Sequence, residues 1–273
     1  MTNNIKQSPP QFDAGWQVPE FQVNFERPRR TKYAVAVFVL NEGEKIRNQL
    51  QRMRSLTHVA DVLVADGGSS DGSLTSELME ESDATTLLVK TGSGRLSAQM
   101  RMAFAYAMRR GYEGVITIDG NGKDGVDAIP QFAKLLEDDW DHLQGSRFIP
   151  GGYHTNTPWS RLIGVRLLHA PLISIASRFH YTDTTNGFRA YSRRFLLDPR
   201  VQPFRDVFVN YELHYYLAIR AARLGFRVCE VPVSRVYPSG GAIPTKISPI
   251  RGNWLVLKTL FRAIAGVFDP AKN

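Results

Sequence analysis

The chain has 273 residues, 43% hydrophobic and 22% charged, with a net charge of +8. That size and balance suit one large α/β domain with a buried core, and they exclude a disordered or fibrous chain. The single cysteine, Cys229, excludes an intrachain disulfide. The basic balance points to anionic partners, yet without a finger, an RNP-type strand motif or a long basic run nucleic acid is not expected among them.

Residues 1–32 read as an N-terminal arm, with Pro9 and Pro10, scattered aromatics and then ERPRRTK. The stretch MTNNIKQSPPQF lacks the apolar core of a signal peptide, and no run reaches the roughly 18 apolar residues of a spanning helix, so a cytoplasmic chain is expected. YAVAVFVL (33–40) is a buried-type strand. NEGEKIRNQLQRMRSL follows with Ile46, Leu50 and Met53 at helical spacing. VADVLVA (59–65) predicts a second strand, SLTSELMEE a short helix N-capped by Asp71, and ATTLLVK a third strand. RLSAQMRMAFAYAMRRG is a helix with Leu96, Met100, Ala103 and Ala107 on one face, and GVITI (114–118) is the fourth strand. This alternation is the signature of a mostly parallel, doubly wound sheet flanked by helices. Ligands bind such sheets at the carboxyl ends of the strands, so the loops at Asn41-Glu42, at Asp66 to Asp71 and at Asp119 to Asp124 should open on one edge.

The second half is less regular. HLQGSRFI predicts a strand, SRLIGVRLLHAPLISIASRF (160–179) one apolar helix, and TDTTNGFRAYS a loop entering a strand. VNYELHYYLAIRAARLG is a helix, FRVCEVPVSRV an edge strand because of Pro232, and YPSGGAIPTKISP a long Gly/Pro-rich loop of the kind that forms lids. The glycines of DGGSSDGS let the backbone approach a flat ligand, and Asp66 can accept from a base N–H. Asn41 and Glu42 could each bond a ligand or cap the following helix. Arg189, in GFRAY, is read equally as an ion-pair partner and as a substrate contact.

FVLNEGEKI, VADGGSSDGS, GRLSAQMRMAFAYA and ITIDGNGKD together resemble the successive blocks of the family 2 glycosyltransferases, which have the Rossmann-like GT-A fold. GSRF, WSRLIGVR, TDTTNGFRAYS, NYELHYYLAIRAARLGFRVCEVPVSRVYPSGG and TKIS resemble the dolichol-phosphate mannosyltransferase branch, whose members are polyprenyl-phosphate sugar transferases. The resemblance runs from about residue 33 to 250 and implies a single GT-A domain over 33–250, with a C-terminal helix and tail over 251–273. It implies that Asn41, Glu42 and Asp66 face the base and ribose of a nucleotide-diphosphate sugar, and that Asp119 faces the ribose and diphosphate. It implies that Arg147, Arg161 and Arg166 serve the acceptor phosphate, and that Arg235 and Lys246 lie in the stretch closing over donor phosphates. Forked guanidinium donors suit phosphate oxygens.

In the relatives that this chain resembles, the loop after the fourth strand reads Asp-x-Asp and holds a divalent metal. Here the second Asp falls on Asn121 and the third ligand position on Lys123. A hard cation prefers anionic oxygen ligands. The preferred reading is therefore metal-free, with the Lys123 ammonium near the diphosphate. In the alternative, Asp124 draws Lys123 aside, and Asp119, Asn121 and Asp124 gather Mg²⁺ or Mn²⁺.

An acceptor phosphate is already an anion, so direct displacement with inversion needs no general base. A hydroxyl acceptor would need one, and Glu212 or Asp183 is the candidate, with a structural ion pair or helix-terminus role as the alternative for Glu212. A non-catalytic nucleotide-sugar binding subunit is the reading from another class. A polyprenyl acceptor requires a membrane surface. Trp254, Leu255, Leu257, Leu260, Phe261, Ile264 and Phe268, with Lys258, Arg262 and Lys272, resemble an interfacial helix; the alternative is a helix packed on the sheet. Peripheral docking on the cytoplasmic face by this tail or by helix 161–179, and attachment to a separate small membrane subunit, stay open side by side.

Overall fold

Every residue of Tyr33–Val39 is buried, because this strand lies inside the sheet with helices on both faces. The computed structural model describes residues 13–239 and 251–271. In chain order the elements are β1 (Phe21–Glu26), β2 (Tyr33–Val39), α1 (Glu44–Met53), β3 (Asp61–Asp66), α2 (Ser76–Glu81), β4 (Thr86–Lys90), α3 (Leu96–Arg109) and β5 (Gly114–Asp119). There follow α4 (Ile129–Glu137), β6 (His142–Ser146), β7 (Tyr153–Thr155), α5 (Trp159–Ile163), a π-helical turn (Gly164–His169) and α6 (Ala170–Ser177). The last are β8 (Arg189–Ser192), α7 (Arg193–Leu197), α8 (Glu212–Arg223), β9 (Val228–Pro232), β10 (Ser234–Val236) and α9 (Arg251–Ile264).

Among the described residues the main sheet has eight strands in the order β1-β4-β3-β2-β5-β8-β6-β9, and β10 pairs with β7 in a small second sheet. Strands β2 to β5 are mutually parallel. β8 runs against both β5 and β6, and β9 runs with β6. The carboxyl ends of β2, β3, β5, β6 and β9 and the start of β8 therefore share one edge. Alternation along β2 feeds two cores: Ala34, Ala36 and Phe38 pack with α3, α6, α8 and α9, while Val35, Val37 and Val39 pack with α1, α2 and α4.

The structure differs from expectation in four places. The arm is not separate from the domain: Phe21–Glu26 forms an antiparallel edge strand on β4, and Trp16 stacks on Phe204 at 3.7 Å. Thr75, not Asp71, caps α2, accepting from Leu78 N at 3.2 Å, while Asp71 accepts from Gly43 N at 3.0 Å and ties two loops together. The 160–179 helix is broken into α5, the π turn and α6. Pro171 explains the break, since its missing N–H cannot serve the preceding turn. The C-terminal helix is packed on one face and open on the other: Leu260 and Ala263, with Phe268 just beyond, are buried in the core, and Trp254 and Phe261 are exposed.

Candidate active site

The first two loops are stitched to each other. Asn41, at φ 49°, accepts from Ser70 N at 2.8 Å through Oδ1 and donates its own N–H to Ser69 Oγ at 2.8 Å. Asp66 is buried and turns its carboxylate on its own loop, accepting from Gly68 N at 3.2 Å and Ser69 N at 2.9 Å. Glu42 is half-buried, 3.9 Å from the Lys45 ammonium. These three expected nucleotide residues sit together at one strand edge, and Asn41 and Asp66 shape the two loops there.

The Asp119 loop is held by Gln49, a buried α1 side chain that donates to Asp119 O at 3.0 Å and accepts from Gly122 N at 2.8 Å. Gly187 backs the Asp119 carboxylate, where a Cβ would stand 2.8 Å from Oδ1. Asn121 leans on the same carboxylate, its Nδ2 3.4 Å from Oδ2. Arg235, from β10, completes the group. Its Nη1 donates to both Asp124 oxygens at 2.8 and 2.6 Å, and its Nη2 reaches Asp119 Oδ2 at 3.2 Å. Burial alone would lower the pKa of this guanidinium, but Asp124 and Asp119 raise it above its ordinary value.

Lys123 is buried, its ammonium 5.2 Å from the centre of the Tyr237 ring. Burial and then Arg235 push its pKa below the usual lysine value. Arg161 donates to Tyr237 Oη at 3.0 Å, so Lys123, Arg161 and Arg235 surround one phenol. Tyr237 escaped the sequence reading, although it follows Arg235 by two residues and so shares its side of the strand. An open cleft of about 480 Å³ lies beside this group, lined by Lys45, Arg52, Asn121, Lys123 and Tyr237 among others.

Arg147 and Arg166 lie 5.1 and 5.5 Å from the centre of one ring, Phe148. Arg166 is exposed on the π turn, whose wider pitch narrows the separation of about 140° from Arg161 that a regular helix would give. Arg147 is not an open phosphate ligand. It is buried and forked onto Asp183, Nε to Oδ2 at 2.6 Å and Nη2 to Oδ1 at 3.0 Å. Glu230 fixes that partner's loop by accepting from Thr182 N at 2.8 Å and Asp183 N at 3.1 Å.

The two proposed bases are both engaged. Asp183 holds Arg147, with no exposed surface. Glu212 turns back over the start of α8 and accepts from Val209 N at 2.9 Å and Asn210 N at 2.5 Å. The helix-terminus alternative for Glu212 is the one the geometry supports. Arg189 donates to the carbonyls of Asn186, His214 and Thr184. Lys246 lies outside the described residues.

The metal set Asp119, Asn121 and Asp124 does not fit a divalent cation. Asp124 is buried and bonded through both oxygens to Arg235, the same guanidinium touches Asp119, and Asn121 presents its N–H₂ group to Asp119. Nor does Asp124 draw Lys123 aside; its partner is Arg235.

No protein-family model matches the chain. It is 30% identical over 223 residues to the glycosyltransferase AglJ of Haloferax volcanii, covering 81% of this chain and 68% of that protein. The chain belongs to the family 2 glycosyltransferases. This glycosyltransferase is also 28% identical over 207 residues to the polyprenol monophosphomannose synthase of Mycolicibacterium smegmatis, covering 73% of this chain and 76% of that protein. Its fold matches the GT-A glucosyl-3-phosphoglycerate synthase of Mycobacterium tuberculosis, solved with Mn²⁺, UDP and glucosyl-3-phosphoglycerate, with a TM-score of 0.61 at 16% identity over 96% of this chain and 83% of that one. Membership makes the glycosyltransferase an enzyme and sets aside the reading as a pure binding subunit. Among the described residues no helix is long and apolar enough to cross a membrane.

Proposed function

We propose that this glycosyltransferase moves a sugar from a nucleotide-diphosphate sugar to a polyprenyl phosphate at a membrane surface, with inversion at the anomeric carbon. One observation carries the reading. The α5–α6 segment bears Arg161 and Arg166 beside the site and, along the same segment, Trp159, Leu167 and Ile175 at 74%, 73% and 76% exposure. A lipid phosphate needs that combination, cations for the headgroup and apolar contact for the chain. The exposed Trp254 and Phe261 of α9 add to the apolar surface. Docking is peripheral and on the cytoplasmic face in this reading, with a small membrane subunit as an additional partner.

In the reaction an acceptor phosphate oxygen attacks the anomeric carbon, the glycosidic C–O bond to the donor phosphate breaks, and the nucleoside diphosphate leaves with the electron pair. Asn41, Glu42 and Asp66 receive the nucleoside. Asp119, Asn121, Lys123 and Arg235 face the diphosphate side, Lys246 joins them in this reading, and Arg161 and Arg166 hold the acceptor phosphate. Arg147 positions the loop beside them. Lys123 supplies part of the charge neutralisation, and no divalent ion is required. No base is required either, which agrees with the engagement of Glu212 and Asp183 by other groups. The test is sugar transfer from GDP- and UDP-sugars to undecaprenyl or dolichyl phosphate, against a lipid alcohol and a glycoside as hydroxyl acceptors. Transfer to the phosphate with an inverted anomer is expected; transfer to the hydroxyl acceptors alone overturns the reading.

A further inference from the structure

The Asp119 loop carries two carboxylates within reach of one guanidinium, and the guanidinium is fixed before any ligand arrives. Backbone bonds from Gly125 N to Ser234 O at 3.0 Å and from Val236 N to Lys123 O at 2.9 Å lock the loop to β10, and Asp124 and Arg235 form a β-bridge. The Asp124–Arg235 pair is almost wholly buried, with side-chain exposures of 0% and 8%, whereas Asp119 keeps 29%. The buried carboxylate thus anchors the guanidinium, and the opposite edge of the fork turns to the more open one.

We propose that Arg235 is a resident cation, filling the space between Asp124 and Asp119 so that a nucleoside diphosphate binds beside Asp119 without a divalent metal. This deepens the donor-binding reading above and rests on it. An open carboxylate with a second one buried behind it repels a diphosphate unless a positive charge lies between them. A guanidinium supplies one fixed charge in a planar fork; both Asp124 oxygens accept from Nη1, and Nη2 is left to Asp119. Removing Arg235 leaves two carboxylates, Asp119 and Asp124, without their counter-charge, a pair that can recruit a hard cation. The inference therefore predicts a gain of metal response, which a purely structural ion pair would not produce.

The experiment measures GDP and UDP affinity by calorimetry, in EDTA and in saturating Mn²⁺, for the wild type, Arg235→Ala and the charge-neutral pair Arg235→Ala with Asp124→Asn. Mn²⁺ binding is read separately by electron paramagnetic resonance. For the wild type, affinities within about twofold in the two media are expected. Arg235→Ala should lose about tenfold or more in EDTA, regain most of it with Mn²⁺, and bind the ion itself. The double variant, which leaves no unpaired buried carboxylate, should lose as much in EDTA and regain less. A wild type that gains about tenfold with Mn²⁺, or Arg235 variants that bind nucleotide in EDTA as the wild type does, overturns the inference while leaving the donor reading intact. Failure of the wild type to bind either nucleotide in any medium overturns the donor reading and the inference together.

Discussion

Arg147 and Asp183 form a two-point ion pair, 2.6 and 3.0 Å long, with side-chain exposures of 3% and 0%. A carboxylate so held is a clamp, not a base. Asp183→Asn should lower stability by about 3–5 kcal/mol, because it leaves a buried guanidinium without its counter-charge. Thermal unfolding measures this directly. A normal melting temperature with kcat abolished would return Asp183 to the list of bases.

Lys123 predicts a proton linkage. Burial and the neighbouring Arg235 lower its pKa, and a bound diphosphate would raise it again. At a pH below the lowered value the amine is charged in both states, and binding moves no proton. Between that value and the raised pKa of the complex binding should take up as much as one proton, and above both the amine is neutral in either state and the uptake falls away. Calorimetry of GDP or UDP binding in buffers of different ionisation enthalpy reads the number. Lys123→Met should abolish the uptake and weaken nucleotide binding by about tenfold. Uptake that persists in Lys123→Met would move the linkage to another group.

Two buried imidazoles should make the enzyme acid-sensitive. Burial and then Arg189 push the pKa of His142 from 6.5 down to about 3, and burial, Arg189 and His142 hold His214 well below its ordinary value. The native state keeps both neutral, while the unfolded chain protonates them below pH 6.5. Their contribution is present above that pH and is lost as pH falls, for His142 toward about 3, at up to roughly 1.4 kcal/mol per pH unit for each. His142→Phe, which keeps a ring against Tyr191 at its stacked 5.2 Å position, should flatten the acid limb by up to one proton. Urea unfolding between pH 4 and 7 measures the slope; an unchanged slope would mean that His142 does not titrate on unfolding.

Much of the fold was legible in the sequence alone, because buried parallel strands must be continuous apolar runs and their crossovers must be amphipathic helices. YAVAVFV, DVLVAD and GVITID carry that pattern, and each ends in the polar loop that the sheet then brings to one edge. The arm at 21–26 did not announce itself as a strand, since an edge strand is half-exposed and lacks a continuous apolar signature. Nor did the π turn, although Pro171 was the local cue. For the site, residue types and spacing identified which side chains gather at the strand ends. They did not identify which charges meet. Asp124 and Arg235 are 111 residues apart, Arg147 and Asp183 are 36 apart, and no periodicity links them. Only the tertiary structure decided that Arg235, rather than Lys123, lies between the two carboxylates, that Tyr237 gathers three cations, and that Asp183 and Glu212 are engaged elsewhere. Pairing depends on distance and burial across the chain, and these exist only once β10 has bonded to the Asp119 loop.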